Sequence, residues 1–155
     1  MNGGNCMKRW MIVLSASMLF LLSGCSFLND AKDTISYINE ATDYLAAATD
    51  FANEAPALAQ QAVEDLQAAE DLKGLLQDML QQIEAFNELQ APDIAAELHQ
   101  QLVAQNDLIV AEINEYLANI QNGLLDPALL ETTNELTQSI QEITAILSDI
   151  QQLGE

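Results

Sequence analysis

Cys25 is the side chain whose chemistry the surrounding residues prepare. It closes the run Leu22-Ser23-Gly24-Cys25, in which two small residues that fit a peptidase cleft stand directly before a thiol. Upstream, Lys8 and Arg9 form a positive segment and Trp10 to Leu22 an uncharged apolar run. That run falls well short of the ~20 residues of a permanent spanning helix. A lipoprotein export signal is therefore expected over residues 1–24, with cleavage between Gly24 and Cys25. The Cys25 thiol would attack a diacylglycerol donor to form a thioether, and cleavage would expose an amine open to a further acyl chain such as palmitate. Two or more chains hold a protein on a membrane, where one binds only marginally. Met7-Lys8-Arg9-Trp10 also reads as a conventional signal start, so Met1 and Met7 are both compatible beginnings, and the second makes Cys6 irrelevant.

Other chemistry-bearing residues are sparse. A di-iron carboxylate bundle needs two Glu-x-x-His pairs facing inward. The chain has one histidine, His99, and three residues before it stands Ala96. Glu112 and Glu115 have the i, i+3 spacing, but the apolar row of their helix runs through Ile109, Ile113 and Ile120, so both are expected on a solvated face. His99 is expected on an exposed helix surface. The sequence carries no Asp-x-Asp-x-Asp-Gly calcium loop, glycine-rich phosphate loop or Cys/His zinc cluster. No catalytic residue, metal site or cofactor is therefore expected, and the chain reads as a non-enzyme. Tyr37, Tyr44 and Phe51, spaced by seven, form an aromatic stripe that suits a bundle core, with hydroxyls reaching its edge.

Residues 25–155 are long enough for one domain with a real core. All 24 carboxylates follow Cys25 and face only Lys32 and Lys73, a net charge of −22. Nucleic acid binding needs cations that displace counterions, so no such partner is expected. Like charges at i, i+4 in Asp50/Glu54, Glu84/Glu88, Asp93/Glu97 and Glu131/Glu135 add local repulsion. The second cysteine, Cys6, lies in the signal, so no disulfide is expected.

Helices must position these residues. Prolines 56, 92 and 127 mark seams that divide the domain into four amphipathic segments. The first starts near Asn29 or Asp30, with a four-three seam through Ala31, Ile35, Ile38, Thr42, Leu45, Thr49 and Ala52. The second, 56–89, has Leu72, Leu76, Met79, Ile83 and Phe86. It is long, so a break is expected at Glu64–Asp71 or Gly74, leaving a short extra helix at about 56–65 and a longer one over 67–89. The third, 92–122, repeats at eleven residues through Leu98, Ile109 and Ile120 and through Leu102, Ile113 and Leu124. The fourth carries Leu129, Thr133, Leu136, Ile140, Ile143, Leu147 and Ile150. Neither strand signals nor a two-residue hairpin turn are read. The expected fold is all-α, an up-down four-helix bundle.

The lipobox, Tyr37-Ile38-Asn39-Glu40-Ala41-Thr42-Asp43-Tyr44, Glu54-Ala55-Pro56-Ala57-Leu58-Ala59-Gln60-Gln61-Ala62, Ile83-Glu84-Ala85-Phe86-Asn87, His99-Gln100-Gln101 and Leu125-Asp126-Pro127-Ala128 together resemble a family of small lipoproteins of Bacillus-type Gram-positive bacteria, known as a domain of unknown function. The resemblance spans nearly all of residues 25–155. It implies a lipid anchor at Cys25 on the extracytoplasmic face of the cell membrane, and it brings no activity. The expected role is a non-enzymatic helical interaction module for an envelope protein partner. The alternative is a surface lipoprotein that binds a small ligand or cation near Tyr37, Tyr44 and Phe51.

Overall fold

In the computed structural model, which describes residues 24–121, 123–130 and 133–153, helix α1 runs unbroken from Gly24 to Ala62. Two expectations fail here. The helix does not wait for Asn29 or Asp30, and Pro56 lies inside it rather than opening a second segment, so no separate helix occupies 56–65. Proline removes one backbone bond and crowds the carbonyl four residues back. Ala52, Ala55, Ala57 and Ala59 around it are the strongest helix formers, and Ala55 and Ala59 are buried against the other helices, so packing carries the helix through the defect.

The chain breaks instead at Val63 and Glu64, where the N–H groups of Glu64 and Asp65 turn back onto the Gln61 carbonyl at 3.1 and 2.9 Å. Asp65 caps α2 (Leu66–Asn87), its carboxylate accepting from the N–H groups of Gln67 at 2.7 Å and Ala68 at 3.2 Å. The break falls at the start of the expected Glu64–Asp71 stretch, and Gly74 is an ordinary helical residue. Helix α3 (Ala96–Asn119) begins four residues after Pro92, not at it, because Pro92–Ala95 close a turn through Ala95 N–H to the Pro92 carbonyl at 2.9 Å. Asp93 and Glu97 are therefore not neighbours along one helix.

After α3 a small antiparallel ribbon forms, contrary to the reading that no hairpin is present. Strand β1 (Ile120–Gln121) pairs with β2 (Leu124–Leu125), Ile120 opposite Leu125 and Gln121 opposite Leu124. The two residues between them are Asn122 and Gly123, the dipeptide most favoured for such turns, and Gly123 has φ +85°. A 3-10 turn (Pro127–Leu130) follows, capped by the Asp126 carboxylate accepting from Ala128 N–H at 2.9 Å. Helix α4 (Thr133–Gln152) thus starts later than Pro127.

Helix α1 packs against α2 and α4, and α3 closes the ring between them. The fold is an all-α four-helix bundle in up-down order, with α1 and α3 parallel on a diagonal. At 1.5 Å per residue α1 is about 58 Å long, far longer than its partners.

The core follows the expected stripes of α2 and α4. Leu72, Leu76, Met79, Ile83 and Phe86 on α2 and Leu136, Ile140, Ile143, Leu147 and Ile150 on α4 are all buried. In α1 the expected seam is displaced. The buried face is Tyr37, Ala41, Tyr44, Ala48, Phe51, Ala55, Ala59 and Ala62. Ile35, Thr42 and Thr49 are exposed, and the threonine hydroxyls donate to the carbonyls of Ile38 and Leu45 at 2.8 Å each. Two tyrosines and a phenylalanine bury far more surface than two threonines, and the intervening alanines let the other helices approach closely. In α3 the buried row is Leu102, Asn106, Ile109, Ile113 and Tyr116, a four-three rhythm rather than the eleven-residue repeat.

Candidate functional site

Cys25 lies in the first turn of α1. Residues 1–23, which hold the expected export signal, and the Cys25 thiol itself lie outside the described residues. No described helix is long and apolar enough to cross a membrane.

The interior polar groups converge where α1, α2 and α3 meet. The Tyr37 hydroxyl and Nδ1 of His99 share a hydrogen bond of 3.0 Å. One heptad along, the Tyr44 hydroxyl donates to Oδ1 of Asn106 at 2.6 Å. Nδ2 of Asn106 in turn donates to Oδ1 of Asn87 at 2.7 Å. Each tyrosine contact joins residues 62 apart, so the two rungs index α1 against α3 as parallel helices. Phe86 fills the space between them, stacked on Tyr44 with ring centroids 4.6 Å apart and 5.3 Å from His99. The Tyr37 ring meets the His99 ring edge-on at 5.7 Å.

The local sequence explains this placement. Seven-residue spacing in Tyr37/Tyr44 and in His99/Asn106 keeps each pair on one helix face. The aromatic stripe is core, as expected. His99 is not exposed as expected but half-buried. Asn106 is fully buried, and the sequence reading missed it. Its available signal was the gap it leaves in an otherwise regular apolar row, four after Leu102 and three before Ile109.

Electrostatics decide what the ladder can do chemically. Burial pushes the Tyr37 hydroxyl up to about 12. Burial raises the Tyr44 hydroxyl further, only partly offset by its bond to Asn106. Burial lowers the His99 imidazole below 6.5. A nucleophilic or proton-abstracting tyrosine needs a shift in the opposite sense. Both tyrosines are held neutral as donors, and a neutral His99 can accept. The ladder satisfies buried polar atoms and fixes helix register, a role well attested for single buried asparagines between helices.

A second polar contact lies between α3 and α4. Glu112 was expected on a solvated face, yet it is half-buried and its Oε1 accepts from the Ser139 hydroxyl at 3.3 Å. Its Oε2 is buried without a partner. Burial raises its carboxyl, opposed by the Ser139 bond and aided by Glu135 and Glu115. Glu115 is exposed, as expected. Among the described residues no group of three His, Cys, Asp or Glu side chains is placed to hold a metal ion. Beside Tyr44 the groove between α1 and α2 holds a dimple of about 60 Å³ lined by Glu40, Asp43, Gln82, Ala85, Phe86 and Leu89. Two open clefts of about 450 Å³ each lie where Ala31–Glu40 meet Leu89–Ile94.

The model of a family described as a family of unknown function, DUF6376, matches residues 37–153. An uncharacterized lipoprotein of Bacillus subtilis, YybP, is 34% identical over 149 residues, covering 96% of this chain and all of that protein. No solved structure matches.

Proposed function

The chain belongs to the DUF6376 family of unknown function, and from that premise we propose that it is a lipid-anchored, extracytoplasmic, non-enzymatic module whose helical body engages a protein partner in the envelope. The observation that carries this reading is the position of Cys25. It ends a lipobox and also sits in the first turn of the helix that organises the bundle. The relative YybP, named a lipoprotein, matches 96% of the chain over its own whole length and supports the same anchor. Thioether attachment at Cys25 and removal of residues 1–24 would leave α1 rising directly from the lipid. The Tyr37–His99 and Tyr44–Asn106–Asn87 groups hold one another, which favours a structural use of that part of the core over turnover. Surface recognition would then fall to helix faces, the usual currency of bundle partners.

Two measurements test it. Labelled palmitate should enter the native protein and not Cys25→Ser, which should leave the membrane fraction. Crosslinking on intact cells should capture a defined protein above a charge-matched lipoprotein control. Unlabelled protein with an intact amino terminus would overturn the anchor. A crosslinking pattern indistinguishable from the control would overturn the module.

A further inference from the structure

Among the described residues four large apolar side chains stand exposed: Ile35 at 62%, Ile94 at 60%, Leu66 at 59% and Leu108 at 55%. The first two belong to one end of the molecule. Ile94 lines an open cleft with Ala31, Thr34, Ala91 and Pro92, and Ile35 follows Ala31 by one helical turn on α1. This end is also the one that leads to Cys25.

Distance makes the coincidence physical. Six residues of α1 separate Cys25 from Ala31, about 9 Å at 1.5 Å per residue. The headgroup zone of one leaflet is roughly 5–8 Å thick. Ile35 stands ten residues beyond Cys25, about 15 Å along the axis, so an upright α1 holds Ile94 near the outer edge of the headgroups and Ile35 above them, and only a helix inclined strongly toward the membrane plane brings both among them. We propose that α1 inclines strongly toward the bilayer that holds Cys25, so that the α2–α3 loop and the neighbouring turn of α1 rest on it, with Ile35 and Ile94 seated among the headgroups close to the acyl chains. This rests on the lipid-anchor reading and adds an orientation to it.

The chemistry also selects the lipid. Asp33 and Asp93 line the same cleft, Glu97 is exposed on the first turn of α3, and Lys32 is the nearby cation. Anionic headgroups are repelled, so the contact is apolar and favours zwitterionic lipid. Interfacial helices seat apolar side chains at this depth.

The test uses tryptophan reporters in the acylated, processed protein, which has lost Trp10, the chain's single tryptophan. Ile35→Trp, Ile94→Trp and Leu66→Trp, the last at the opposite end where α2 begins, are each reconstituted into phosphatidylcholine vesicles with brominated acyl chains. The expected result is a blue shift and loss of emission for the first two and neither for Leu66→Trp, weakened when anionic lipid is added at low salt. Vesicle-bound protein with no quenching at either isoleucine position would overturn the inference and leave the anchor standing. Equal quenching of all three would overturn it in favour of an unoriented body. A concentration-dependent blue shift without bromine quenching would overturn it in favour of a second copy of the chain. Protein that fails to float with the vesicles would remove both the inference and the anchor.

Discussion

Asn106 receives the hydroxyl of Tyr44 at 2.6 Å across the diagonal of the bundle, between two helices that otherwise touch mainly through their shared neighbours. The same side chain passes a hydrogen bond on to Asn87, so three of the four helices share one buried junction. Sliding α1 against α3 by a turn would leave the amide and the phenol unpaired in the core, where an orphaned buried group costs about 1–3 kcal/mol.

That cost is measurable. Tyr44→Phe and Asn106→Leu should each lower unfolding stability by about 1–3 kcal/mol in urea titrations. The double variant should fall short of their sum by roughly 0.5–3 kcal/mol, as for residues in direct contact. Strict additivity would show that the junction is not energetically coupled.

Two glycines should respond in opposite directions. Gly74 lies inside α2 with open space where a Cβ would stand, so Gly74→Ala should stabilise by about 0.5–1 kcal/mol. Gly123 has φ +85°, and a Cβ there would lie 2.8 Å from the Leu66 side chain. Gly123→Ala should destabilise by about 1–2 kcal/mol for the left-handed backbone. Thermal melts of both variants decide the matter, and a stabilised Gly123→Ala would contradict the hairpin.

Acidification should pull stability two ways. The folded His99 value is lowered from 6.5, so its contribution is present above 6.5 and is lost as pH falls through the folded value. The folded Glu112 value is raised from 4.5, so its contribution is fully present below 4.5 and is lost as pH rises through the folded value. Relative to the parent, His99→Gln should therefore gain stability on acidification below 6.5. Glu112→Gln should be relatively more stable near neutrality and lose that advantage toward 4.5. Parallel pH profiles for parent and variants would remove both assignments.

Salt should raise the melting temperature. Twenty-four carboxylates face two cations after Cys25. Asp50 and Glu54 stand exposed one turn apart on α1, a like-charge pair unfavourable by ~0.2–0.5 kcal/mol. Screening sets in over about 10 Å at 0.1 M salt. An unchanged midpoint between low and high ionic strength would show that the acidic surface carries no strain.

The four-helix order is legible because the sequences of α2 and α4 carry unbroken apolar rows, Leu72–Phe86 and Leu136–Ile150, which the fold buries. Prolines misled the boundaries. Pro56 reads locally as a helix start, but alanine-rich flanks and burial of Ala55 and Ala59 override it, a tertiary effect that no local pattern records. Pro92 and Pro127 lie near real breaks yet open turns, not helices. The α1 seam was misassigned because threonine and isoleucine at four-three spacing look as apolar as the true Tyr37–Ala62 face. The polar ladder was half legible: its aromatic members declare themselves as core, while His99 and Asn106 are polar residues whose burial depends on partners 62 positions away.

The uninterrupted α1 leaves no slack between Cys25 and the body of the protein. A loose leader would let an anchored domain swivel and wander, whereas a helix transmits torque, so on the lipid-anchor reading tilting the first turn tilts everything above it. Such a mast surrenders rotational freedom before any encounter, which lowers the ordering entropy left to be lost when a partner docks. Inserting a few glycines after Cys25 would turn the mast into a leash, and the orientation of the whole domain would go with it.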